Sequence, residues 1–149
     1  MGCIDQLPHA ALLIRKGSHR PEIRGKLCLN GLGQLIDAAH PIFGGFPTQS
    51  HTNWQWWAMA TQRAVILPRP MECIIAEMDS YAYLRPMAQL VEFRCGGGKV
   101  LLSSMGLQNL QQYPEARALL ASVYAYLASE EFAPKQELEP EEAAALVKG

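Results

Sequence analysis

The stretch AQLVEFRCGGGKVLLSSM, residues 88–105, constrains the fold more than any other. Two runs rich in strand formers flank Gly96-Gly97-Gly98. Glycine tolerates positive φ, so the stretch predicts a β-hairpin with a loop of about three residues. Further runs have strand length. GQLID (33–37) reads as a short buried strand ending at Asp37. WQWWAMA (54–60) alternates and is rich in aromatics, RAVILP (63–68) is closed by Pro68 and Pro70, and ECIIAEM (72–78) is apolar on both faces. Continuous apolar runs of this kind suit a sheet covered on both sides, as in α/β proteins.

PEARALLASVYAYLASEEF (114–132) predicts the covering helix. Pro114 suits the first helical position, where its missing N–H costs nothing, and Glu115 suits the positive N-terminal end. Ala116, Leu119, Leu120, Val123, Tyr124 and Leu127 then form one apolar stripe at helical spacing. Burying the larger members stabilises by about 1.5–3 kcal/mol each. The connections are less patterned. AALLI (10–14) reads as a short strand or a helical turn, and RKGSHRPEIRGK as a loop. Residues 38–53 form a long irregular connection with Pro41, Gly44, Gly45 and Pro47. Connections this long are functional or packed tightly on the body. GLQNLQQY (106–113) reads as a turn or loose helical piece. The acidic, Ala-rich tail 133–149 reads as a short peripheral helix or a frayed end. The expectation is a single α/β domain over 1–132 with a mixed sheet, followed by that tail.

Charge and cysteine usage narrow the function. The 149 residues carry a net charge of −1, which argues against nucleic acid and anionic membrane as partners, since both need a concentrated basic face. No run approaches a membrane span and no export signal is read, so a cytoplasmic location is expected. Cys3, Cys28, Cys73 and Cys95 show no C-x-x-C spacing and read as free thiols. Nucleophile signatures are missing: there is no G-x-S-x-G, and Cys73, Cys95, Ser103 and Ser104 lie in or beside strands. His40, His51, Asp37 and Asp79 have no metal-ligand spacing, so no metal site or cofactor is expected. Asp37, Glu72, Glu77, Asp79 and Glu92 offer carboxylates, but no two stand out as a hydrolytic pair. CGGGK joins two strands instead of opening a helix, which excludes a phosphate cradle. The sequence thus carries no signature of an enzyme.

All three tryptophans fall in HPIFGGFPTQSHTNWQWW, residues 40–57. On a strand Trp54 and Trp56 would share one face and Trp57 the other. One reading has the indoles filling the space between sheet and helices. The other has Trp54, Trp56 and Trp57 stacking on a sugar, with His51, Asn53 and Gln55 as hydrogen-bonding neighbours.

This stretch also resembles a domain at the C-terminal end of some bacterial glycoside hydrolase family two proteins, relatives of β-galactosidase and β-glucuronidase. His40, Pro41, Phe43, Phe46, Pro47, Thr48, His51, Asn53, Trp54, Gln55 and Trp56 stand in matching places. So do Asp79, Glu92, Gly96, Gly98 and Lys99 further on, and PEARALLASVYAYL matches the closing helix. The resemblance spans roughly residues 33–128. It implies a truncated flavodoxin-like fold, similar to class I glutamine amidotransferase domains, without their catalytic triad. It implies a non-catalytic accessory role beside a glycosidase, with carbohydrate as ligand and His51, Asn53, Trp54, Trp56, Trp57, Asp79 and Glu92 as candidate contacts. Ser80, Tyr83 and Leu84 depart from the polar residues usual near Asp79. Residues 1–30 do not supply the first βα units of such a fold, so the expected sheet is short, and a homodimer or a partner glycosidase chain would complete it. Two other readings stand beside this one: a small hydrolase of glycosides or esters, and a structural or oligomerisation module.

Overall fold

The computed structural model describes residues 10–14, 33–59, 64–79 and 83–147. The RKGSHRPEIRGK loop, residues 60–63, Ser80 and the first two cysteines lie outside them. Six strands form one mixed sheet: β1 (Ala10–Ile14), β2 (Gly33–Ile36), β3 (Val65–Ile66), β4 (Ile75–Met78), β5 (Met87–Cys95) and β6 (Gly98–Ser103). The order is β1-β6-β5-β4-β2, with β3 beside the first residues of β5. Among the described strands, β1 and β6 pair in parallel and the other strand pairings are antiparallel. AALLI is therefore a strand, placed by a long-range parallel pairing.

The hairpin is tighter than its glycines imply. Cys95 pairs with Gly98, which leaves a two-residue turn of Gly96 and Gly97 with φ of +56° and +82°. Two consecutive positive-φ positions match the right-handed twist of the flanking strands, and glycine takes them without strain. Gly98 is the first residue of β6, not the third of a loop.

Both faces of the sheet are covered, which explains the continuous apolar runs. Alternation along β5 and β6 sends Leu90 and Leu101 to one face and Val91, Phe93, Val100 and Leu102 to the other. The first face meets α1 (Pro114–Leu127), and the second meets Leu138 and, through Ala143 and Leu146, α2 (Pro140–Val147). The acidic tail thus folds back as a covering layer, clipped by Leu138 N–H to Arg94 O at 2.9 Å and by Arg69 to Glu142 at 2.8 Å.

Helix α1 is shorter than predicted, and its buried stripe is Ala116, Leu119, Leu120, Val123 and Tyr126. Tyr124, expected in the stripe, is exposed, because the packed face drifts along the helix and brings Tyr126 inward. β2 is an edge strand with only Ile36 buried, not the buried strand expected. Part of its outer edge is closed by the Leu35–His51 bridge and by Ile36 N–H to Ser50 O at 2.9 Å.

The 38–53 connection packs on the body. It contains a 3-10 turn at Pro41–Phe43, and Ile42, Phe43 and Phe46 enter the core under α1. Ser122 on α1 fixes it from above: its hydroxyl donates to Ile42 O at 2.6 Å and accepts from Gly45 N–H at 3.0 Å. A Cβ at Gly45 would stand 3.2 Å from Ser122 Oγ, tighter than an ordinary contact, so glycine suits the close approach. No helix among the described residues is long and apolar enough to cross a membrane.

Candidate functional site

WQWWAMA does not form a strand. Asn53 caps a 3-10 turn over Trp54–Trp56: its side chain accepts from Gln55 N–H at 3.1 Å, and Trp57 N–H closes onto Trp54 O at 3.1 Å. Asparagine at this position supplies an acceptor that the first turn needs, and this competes successfully with strand alternation. In a 3-10 turn side chains at i and i+3 eclipse, so Trp54 pairs with Trp57 instead of Trp56. Their ring centroids lie 5.8 Å apart at an interplanar angle of 35°. Trp54 is 85% exposed and Trp57 77%.

Trp56 points the opposite way and is 1% exposed. It meets Phe43 and Phe46 edge-on, and its indole N–H donates to Thr48 Oγ1 at 2.9 Å. The two readings of the tryptophans therefore divide between them: Trp56 is core, Trp54 and Trp57 are surface. His51, Thr52 and Asn53 complete a shallow hollow of about 480 Å³ around the exposed pair. Gln55 leaves this group, since its amide donates to Pro47 O at 3.0 Å. Each exposed indole keeps a large apolar face for a partner, and stacking on such a face is worth about 1–3 kcal/mol.

A second cluster sits at the start of the same connection. His40 Nδ1 accepts from Ile42 N–H at 3.3 Å, which puts the ring proton of a neutral imidazole on Nε2. Nε2 lies 3.6 Å from Glu92 Oε1, and Tyr126 OH donates to Glu92 Oε2 at 2.8 Å. The His40 and Tyr126 rings meet edge-to-face at 5.2 Å. Burial first, and then the Glu92 carboxylate, hold the Tyr126 phenol well above its usual range. The cluster floors a cleft of about 330 Å³ whose other lining residues include Asp37, Glu72, Cys73 and Lys135. The Tyr126–Glu92 hydrogen bond, and the His40 ring packed edge-on against Tyr126, make the floor a latch joining the connection, β5 and α1. Burial pushes the Cys73 thiol up to about 11, which keeps it protonated at neutral pH and unsuited as a nucleophile.

A family model described as Domain of unknown function (DUF8487) matches residues 24–148, a span that includes the platform, the cleft and both helices. The chain belongs to the DUF8487 family. No curated protein matches it significantly.

The remaining sequence candidates sit elsewhere in the DUF8487 domain. Asp79 is buried and lines neither hollow. It grips Arg85 with two side-chain contacts, at 2.7 and 3.2 Å, and accepts from Arg85 N–H at 3.0 Å. Arg85 in turn lies over the Tyr83 ring, 4.9 Å from its centroid, and Leu84 between them takes φ of +50°. Asp79 thus clamps a strained loop. Of the predicted contacts, His51, Asn53, Trp54 and Trp57 come together; Trp56 lies beneath them, and Glu92 belongs to the latch.

Sequence reasoning did not single out Tyr126, or Glu77 as a buried acid. Cross-strand pairing puts Gln34 opposite Glu77, and Gln89 donates to Glu77 Oε2 at 2.5 Å. Burial outweighs these hydrogen bonds and pushes the Glu77 carboxyl up to about 7. Among the described residues, no group of three or more His, Cys, Asp or Glu side chains is placed to hold a metal ion.

Proposed function

We propose that this DUF8487 domain is a non-catalytic, carbohydrate-binding accessory domain of a glycoside-hydrolase-type protein. The observation that carries the reading is the outward Trp54–Trp57 pair, eclipsed on a capped turn and flanked by His51 and Asn53. The negative face of an indole attracts the positively polarised C–H groups on a sugar ring face, and short polar neighbours bond the hydroxyls. The turn is anchored by buried Trp56, so the rings are held ready and little ordering entropy is lost on binding. Glu92 Oε2 accepts from Tyr126 OH, a structural use of this carboxylate that supports a binding role over hydrolysis.

The resemblance to glycoside hydrolase family two domains extends the proposal to the fold, which we read as a truncated, flavodoxin-like relative of class I amidotransferase domains. The parallel β1–β6 pair supports that reading, and the antiparallel pairings are its departures. A partner glycosidase chain and a cytoplasmic setting belong to the same proposal; Cys73 and Cys95 as free thiols support the setting. The test is a titration of the chain with a broad panel of mono- and oligosaccharides, followed by tryptophan emission. A saturable change with some members is expected. A flat response across the panel would defeat the reading.

A further inference from the structure

We infer that the Trp54–Trp57 surface takes the face of an internal stretch of a neutral, extended glycan, not a chain end and not a charged sugar; this rests on the carbohydrate reading above. Three observations carry it. The first is one-sidedness. Among the described residues, those lining the hollow all lie between His51 and Trp57, so one short segment builds it and no other described element supplies an opposing wall. Recognising a chain end requires groups that surround it on several sides, and a surface built from one segment reads one face of whatever lies across it.

The second is the ring geometry. Two exposed indoles with centroids 5.8 Å apart and planes tilted by 35° present two aromatic surfaces to solvent. A single sugar fills one of them. Only a ligand that continues past the first ring, with its second unit turned relative to the first, covers both. Each stacked ring contributes separately, as aromatic platforms do for other strand-like ligands.

The third is charge. Among the described residues, no lining side chain carries a fixed charge; His51 is the titratable one, and Thr52 and Asn53 are neutral. Asn53 spends its Oδ1 on the cap, which leaves its amide NH2 to donate to a hydroxyl. The nearby contrast is instructive: the cleft at His40 is lined by Asp37, Glu72, Glu92 and Glu131 against Lys135. An anionic sugar or a nucleic acid, which also stacks on aromatics, needs basic groups beside the rings, and the rim has none among the described residues.

The experiment is calorimetry on the whole chain with a neutral glucan series from the monosaccharide to the hexasaccharide, each also with its reducing end reduced, and with a polyuronate. The expected result is a fall in Kd of about tenfold or more from mono- to tetrasaccharide, in line with one added stacking contact. Reduction of the end should leave Kd unchanged, and the polyuronate should bind more weakly. Trp54→Ala and Trp57→Ala, both at exposed positions, should each flatten the length dependence while circular dichroism stays as in the parent. A monosaccharide that binds as tightly as the tetrasaccharide, or a Kd that depends on the intact end, would overturn the internal-stretch inference and leave carbohydrate binding standing. Tighter binding of the polyuronate would overturn neutrality alone. Absence of binding to every member of a wider panel would remove both.

Discussion

The two ends of the 40–57 connection make opposite use of polar and aromatic side chains. At its start, His40 Nδ1 accepts from Ile42 N–H, and Tyr126 OH donates to Glu92. At its end, Trp54 and Trp57 stand in solvent with most of their surface unused. Both ends hold residue types common in functional sites. What separates them is what is left over after folding. A group whose hydrogen bonds are all made inside the chain stabilises the fold and has little to offer a ligand. A large apolar surface left in water is the one with free energy still to gain. The latch therefore positions the connection, and the turn it helps to position presents the binding surface.

The contrast can be tested first within the tryptophans, where the largest effect is expected. Trp56→Ala should destabilise by about 3–5 kcal/mol, because it empties a packed core site beneath the turn. Thermal unfolding should show a midpoint lower by roughly 10 °C for a chain of this size. A midpoint within a degree of the parent would contradict the division of roles. Next comes the latch. Tyr126→Phe removes one hydrogen bond to a carboxylate and should cost about 1.5–3 kcal/mol in denaturant unfolding. Glycan affinity should stay as in the parent; loss of binding at full folding would place the site at the cleft instead.

Glu77 gives a smaller effect with a defined sign. Its folded carboxyl is pushed up to about 7, above the ordinary carboxylate value of 4.5. The folded state then holds the proton more tightly than the unfolded chain, so the contribution of Glu77 to stability is full below pH 4.5 and is lost as pH rises towards 7. The difference between the parent and Glu77→Gln, measured by urea unfolding across that interval, should follow this slope and level off above it. A difference that is flat between pH 4.5 and 7 would remove Glu77 as its source. The smallest stability effect belongs to the exposed pair: Trp54→Ala and Trp57→Ala should each change unfolding free energy by less than about 0.5 kcal/mol.

Local chemistry made much of the fold legible. Two glycines must sit where consecutive residues need positive φ, and Pro114 followed by an apolar stripe marks a helix start; both elements lie where they were expected. WQWW was harder because its alternation fits a strand as well as a capped turn. The deciding interaction is a hydrogen bond from Gln55 N–H to the Asn53 side chain, which leaves no periodic trace. Elements set by long-range pairing were illegible for a different reason. The parallel β1–β6 ladder, the Gln34–Glu77 pair and the Tyr126–Glu92 bond, 34 residues apart, exist only once the sheet is assembled. The sequence did bring His51, Asn53 and the tryptophans into one candidate site. Which indoles face outward depended on a turn type that the motif alone does not specify.

The most direct test of the central claim is calorimetric titration of a neutral oligosaccharide that binds the parent chain into the Trp54→Ala/Trp57→Ala double variant, with its thermal midpoint recorded alongside. The account predicts that binding is lost while the midpoint stays within about 2–4 °C of the parent, the shift that roughly 1 kcal/mol produces. Retained binding, or a collapse of the fold to the level of Trp56→Ala, would contradict it.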